Sequence, residues 1–282
     1  TWTGAQSFEY LSAILRSGIR SEAVALRGLI TPSDDLYLRL KAYSALAQGS
    51  KSFFFWTFGP TSISTENYWS DLRSAYDGIA RLTRALGKAE DVLYPARPVS
   101  DPVAILYSVS HDIWHSDDPA SFVEMRLTWH ALRHLSIQPD FLREEDVESG
   151  RLEKYRALFV AGQCVTRRAS TAIDRWVREG GVLYLAGGAA TRDEHFEPRV
   201  PPFAEAVWPE GAAAKFFKER DHAYNERADL PGLKPLTTAR VAVGERSFEI
   251  KVLGCRLDLL ESAGKGGPGG ALSASYADGK VA

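Results

Sequence analysis

The stretch KSFFFWTFGPTSISTENYW, residues 51–69, joins an apolar, aromatic run to a loop of hydroxyls with one carboxylate, one amide and a second tryptophan. A sugar presents a hydroxyl rim and an apolar C–H face, so a site for one needs hydrogen-bonding groups and aromatic surface together. Trp56, Glu66, Asn67 and Trp69 supply both kinds of group. If SFFFWTF is a barrel strand, the loop from Gly59 to Trp69 lies on the face where barrel active sites are built. A plainer reading stands beside it, in which both tryptophans are core and Glu66 caps the next helix.

Other groupings offer less. His130 and His134 have the i, i+4 spacing that can clamp a metal on a helix, but the glutamate of H-E-x-x-H is missing and Arg126 and Arg133 lie alongside. A solvated helix face is expected there. Cys164 follows the strand-like ALFVAG, where an α/β fold can place a nucleophile. No histidine is near it in sequence to act as base, so a structural thiol is expected. GGAATRDEHFEP brings Asp193, Glu194 and Glu197 to the end of VLYLAGG, and a tight, solvated turn is the simpler account. GKGGPGG satisfies G-x-G-x-x-G through Gly264, Gly266 and Gly269, yet no strand leads into it and no helix follows, so it reads as a hairpin loop. The sequence implies no cofactor and no metal site.

The elements that must carry these residues follow from periodicity. SFEYLSAILRSG places Phe8, Leu11 and Leu15 at helical spacing and stops at Gly18, where a left-handed cap is expected. EAVALRGLI reads as a strand, LYLRLKAYSALAQG as a helix ending at Gly49, SFFFWTF as a strand covered on both faces, and YWSDLRSAYDGIARLTRALG as a helix. Strands separated by such helices are βα units of a parallel sheet. YPARPVSDP is the expected domain boundary. Beyond it VAILYS, ALFVAG and VLYLAGG alternate with helical SFVEMRLTWHALRHL, which puts Phe122, Met125, Trp129 and Leu132 on one buried face, and TRRASTAIDRWVREGG, with Thr166 as N-cap and Gly180 just past its end. That pattern predicts a doubly wound α/β domain of about one hundred residues. After Pro198 short β-like pieces, TTARVAVG, RSFEIKVLG and ALSASYADG, predict a β-rich extension.

Composition sets bounds on partners. The 282 residues, 45% of them hydrophobic, suffice for about two ordinary domains. A net charge of -2, from 34 basic and 36 acidic side chains, gives no field that would draw nucleic acid or an anionic bilayer. No run approaches the roughly 18 apolar residues of a membrane helix. Cys164 and Cys255 match no zinc spacing and no disulfide framework, which leaves the compartment open. The start at Thr1 and the close on YADGKVA read as a fragment.

LRLKAYSALAQGSKSFFFWTFGP, then ENYW, then the proline-rich linker and the run from VAILYSVSHDIW to GGVLYLAGGAATRDE together resemble glycoside hydrolase family 42. The resemblance covers roughly residues 20–200. It implies that residues 1–97 are the C-terminal part of a (β/α)8 barrel. Residues 101–200 would be a flavodoxin-like, glutamine amidotransferase-like trimerisation domain, and residues 201–282 a truncated β-rich extension. The implied activity is that of a β-galactosidase on a carbohydrate substrate, with the catalytic acid before Thr1. Two departures are visible. The family's nucleophilic glutamate ends the seventh barrel strand, where this chain has Leu29, Ile30 and Thr31, with Glu22 before and Asp34 after. The family pattern E-x-x-H is met by Glu66 but with Trp69 in place of the histidine. A working amidotransferase would carry its cysteine after VLYLAGG, where Gly188 and Ala189 stand. The resemblance therefore implies a structural second domain and a homo-oligomer. A non-catalytic carbohydrate-binding or scaffolding protein is the alternative, and an amidotransferase-like thiol enzyme at Cys164 a third.

Overall fold

A computed structural model describes residues 4–21, 23–32, 34–56, 73–115, 120–186 and 188–203, together with strands at 213–216, 237–243, 246–252, 255–258 and 272–276. These residues fall into two compact units that part between Ser100 and Asp101.

The first unit begins with α1 (Ala5–Gly18), β1 (Arg27–Ile30) and α2 (Asp35–Ala47), followed by β2 (Ser52–Phe55), α3 (Arg73–Gly87) and α4 (Glu90–Leu93). β1 and β2 pair in parallel, with Leu29 opposite Phe54 and Ile30 opposite Phe55. Side chains alternate across a strand, so Ile30, Phe53 and Phe55 meet Phe8, Leu38, Ala42, Ala45 and Leu82 from the helices in one core. Burying side chains the size of Ile30 and Leu38 contributes about 1.5–3 kcal/mol each. Gly28 permits this packing, because a Cβ there would lie 2.9 Å from Phe53 Cδ1. Asp34 starts α2 by accepting from the Tyr37 N–H at 3.0 Å. Gly49 ends it at φ +87°, as its position predicts.

Two expectations for this unit fail. Gly18 is the last helical residue of α1, and the chain leaves through Ile19 at φ -72°, ψ 125°, with no left-handed cap. The β2 run is covered on one face only: the helices take Phe53 and Phe55, while Phe54 on the other face is 42% exposed.

The second unit contains β3 (Val103–Tyr107), α5 (Val109–Trp114), α6 (Ala120–His134), β4 (Asp140–Arg143), α7 (Glu144–Glu148), a 3-10 turn at Arg151–Lys154, β5 (Ala157–Val160), α8 (Arg167–Arg178) and β6 (Val182–Leu185). Its parallel sheet has the order β4-β3-β5-β6. Ala104, Leu106, Leu142, Leu158 and Val160 pack on one side with Val147, Leu152, Ile173 and Trp176. Ile105 and Phe141 point to the opposite side and are buried too. Thr166 caps α8, its Oγ1 accepting from the Ala169 N–H at 3.0 Å, and Gly180 follows at φ +102°. Both fulfil their expected roles. β4 escapes sequence reading because four residues between charged neighbours give periodicity too little to act on.

The expected solvated face of α6 is corrected. Met125, Trp129 and Leu132 are buried as the spacing predicts, but Arg126 and His130 are buried with them. Arg126 Nε lies 3.4 Å from His130 Nε2, and Trp129 meets the His130 ring edge-on. The buried arc of this helix is wider than its apolar stripe.

Further along, β7 (Ala213–Phe216) pairs antiparallel with β10 (Cys255–Asp258). β8 (Thr237–Val243) lies between β9 (Arg246–Val252) and β11 (Leu272–Tyr276), antiparallel to both. No described helix is long and apolar enough to cross a membrane.

Candidate functional site

In the first unit the candidate site forms where β1 and β2 end. The Trp56 N–H donates to the Ile30 carbonyl at 2.9 Å, which extends the parallel pairing by one step and fixes the tryptophan just past the strand. Trp56 shares the helix-free face with Phe54, their ring centroids 6.2 Å apart and tilted by 57°. Leu29 pairs with Phe54 across the strands. The three form an apolar strip, 38–42% exposed, at the carboxyl end of a parallel sheet. Glu66, Asn67 and Trp69 lie outside the described residues, as do Glu22 and the glycine-rich loop at 264–270. Asp34 is spoken for as the cap of α2. Among the described residues, no carboxylate stands at the end of β1, where Ile30 is fully buried.

In the second unit the chain steps from β3 out to β4 and returns across β3 to β5. In such sheets that reversal marks the usual ligand position, at the carboxyl ends of the strands. Here the chain fills it with its own carboxylate. Glu144, buried at the start of α7, accepts from the Ser110 N–H at 3.0 Å, Ser110 Oγ at 3.1 Å and the Thr166 N–H at 2.9 Å, while Ser108 Oγ, 3.3 Å from it, gives its one proton to the Cys164 carbonyl at 2.6 Å. Ser108 and Thr166 are the N-caps of α5 and α8, so one side chain satisfies donors at two helix starts, where the dipoles favour an anion.

Cys164 lies beside this web with no exposed surface. Burial pushes its thiol up to about 11, which favours the protonated form at neutral pH. What sequence distance hid is that His111 and His115 come to it in space, one potential ligand atom from each of the three lying within 4.8 Å of the others. Gly162 makes room for this approach, since a Cβ there would stand 3.2 Å from those of Ser108 and His111. The turn after β6 carries Gly188 at φ +81° and Ala190 at φ +56°, with Ala189 and Ala190 buried.

The Asp193 turn is tight, as expected, but Asp193 itself is not solvated. It pairs with Arg167 at 2.6 Å and accepts the N–H groups of His195 and Glu197. Burial pushes its carboxyl up, but the Arg167 guanidinium and those two backbone donors outweigh it and hold the group at about 2. Glu194 accepts the Arg167 N–H at 2.8 Å. These carboxylates tie the turn to the start of α8.

No family model and no curated protein sequence matches the chain. Its fold is nevertheless GH42-like, that of a portion of solved β-galactosidases. Gan42B, a GH42 β-galactosidase from G. stearothermophilus, superposes with a TM-score of 0.63 at 15% identity, over 90% of this chain and 38% of that one. The β-galactosidase from Bacillus circulans sp. alkalophilus gives 0.63 at 16% identity over 95% and 41%. That from Rahnella sp. R3 gives 0.62 at 18% over 96% and 41%. At such identities the likeness is one of fold, and the chain spans about two fifths of the length of these structures.

Proposed function

We propose that the chain is the C-terminal part of a β-galactosidase-like glycoside hydrolase and contributes one wall of its sugar site. In this reading residues 1–97 are the end of a (β/α)8 barrel, residues 101–200 an amidotransferase-like assembly domain, and residues 201–282 a β-rich extension. The observation that carries it is the fold likeness over nine tenths of the chain, joined to the partly exposed Leu29–Phe54–Trp56 strip where β1 and β2 end. Trp56 offers a face on which sugar C–H groups stack. Glu66 and Asn67 follow on the same loop to bind hydroxyls, with Trp69 as a second aromatic. Retaining hydrolysis needs two carboxyl groups roughly 5 Å apart across the scissile bond. Among the described residues the end of β1 supplies neither, and in this reading the reacting pair comes from other parts of the protein.

Glu144 at the strand ends supports an assembly role for the second domain, because the usual ligand position is taken by the chain itself. A homo-oligomer, a trimer by resemblance, is the partner proposed. The test is a panel of aryl glycosides offered to the protein that carries this chain. Aryl β-galactosides should be turned over, and Glu66→Gln should weaken their binding by roughly ten- to a hundredfold at unchanged Tm, the loss of a charge-assisted hydrogen bond of about 1.5–3 kcal/mol. Trp69→His should shift preference toward galactosides. Wild-type behaviour of both variants on every sugar would overturn the reading.

A further inference from the structure

His111 on the first turn of α5, His115 just past its end, and Cys164 on the loop after β5 converge at the carboxyl end of the β3–β5 pair. We propose that these three side chains hold one divalent transition-metal ion of the zinc type, with a water in the fourth position. A thiolate with two imidazoles is a borderline-soft donor set suited to zinc and its first-row neighbours. Around a tetrahedral ion with bonds of about 2.0–2.3 Å the donors stand about 3.3–3.8 Å apart, so atoms now within 4.8 Å close by about one ångström. The loop bearing the thiol is already held. Ser108 Oγ donates to the Cys164 carbonyl at 2.6 Å, and Cys164 bridges in parallel to Arg192. Glu144 and Asp193 are the carboxylates whose charge reaches the sulfur, and the Arg192 guanidinium opposes them. Neither carboxylate is a ready fourth ligand: Glu144 is engaged by two helix starts and Asp193 by Arg167.

Binding entails three local changes. The Gln163 N–H donates to His111 Nδ1 at 3.1 Å, and ligation through that nitrogen gives up this bond. One neutral hydrogen bond is worth about tenfold in affinity, small beside the binding strength of zinc sites. The His111 and His115 rings are stacked, centroids 4.4 Å apart at 24°. An ion must lie in the plane of each ring it binds, so the half-buried His115 turns out of the stack. The thiol releases its proton to solvent as sulfur takes the ion.

The test is anaerobic titration of the reduced full chain with cobalt(II), followed by displacement with zinc(II). One ion per chain is expected, with a sulfur-to-cobalt charge-transfer band and tetrahedral d–d absorption, both lost in Cys164→Ser and weakened about a hundredfold or more in His115→Ala. Cys255→Ser should leave both unchanged. Circular dichroism confirms folding, and the His115 variant carries the test if Cys164→Ser fails to fold. Absence of the sulfur band, its persistence unaltered in a folded His115→Ala or Cys164→Ser, or its loss in Cys255→Ser would overturn the site.

Discussion

Removing the Glu144 carboxylate should cost the second unit a large share of its stability. Three donors converge on that carboxylate at 2.9–3.1 Å, two of them backbone N–H groups at the starts of α5 and α8. Each bond to a charged acceptor contributes about 1.5–3 kcal/mol, but bonds in one network do not add. Alanine leaves the buried donors without an acceptor at about 1–3 kcal/mol each, and about 3–5 kcal/mol in all is the loss expected for Glu144→Ala. Against a total of about 5–15 kcal/mol for an ordinary domain, such a loss is about a fifth or more. Glu144→Gln keeps the shape but turns an NH2 toward donors, so about 2–3 kcal/mol is expected. Denaturant unfolding of the full chain measures the loss, and hydrogen exchange at the Ser110 and Thr166 amides locates it. A change below about 1 kcal/mol for Glu144→Ala, with both amides still protected, would refute the reasoning.

Three further outcomes follow from the same geometry. The Cys164 thiol, raised from an ordinary 9.0 to about 11, should resist thiol reagents in the native chain; its contribution to stability is whole below pH 9 and fades as pH climbs toward 11, a component that an alkaline unfolding series on Cys164→Ser should lack. Asp193, held at about 2 against an ordinary 3.8, stabilises above pH 3.8 and loses that contribution as pH falls toward 2, so Asp193→Asn should be less stable at neutral pH yet lose less on acidification. Sedimentation of the full-length protein at micromolar concentration should give more than a monomer, and a strict monomer would count against an assembly role for the second domain.

The parallel strands of both units were legible because their apolar runs are bounded by clear helix signals, Thr166 and Gly180 among them. Gly18 misled because a glycine at a helix end fits the left-handed cap without requiring it. Arg126 and His130 misled because polarity on a helix stripe was taken for exposure, whereas a buried pair can satisfy itself against Trp129. The Glu144 web and the approach of Cys164 to His111 and His115 had no local signature, although those two histidines share the i, i+4 spacing of His130 and His134. Glu144 lies 34 residues from Ser110 and Cys164 lies 53 from His111, and only the return of the chain from β4 to β5 brings them together. Trp56 is the one proposed sugar-contacting residue among those described, and it stands half exposed beside Phe54 where β2 ends.

Saturation-transfer NMR with methyl β-galactoside, on the protein that carries this chain, tests the sugar wall most directly. Aromatic stacking places the C–H face of the sugar against an indole, so wild type should pass saturation to the ring protons of that face. Trp56→Ala should lose most of that transfer while keeping its fold. No transfer in wild type, or transfer undiminished in Trp56→Ala, would contradict the assignment of this face to carbohydrate.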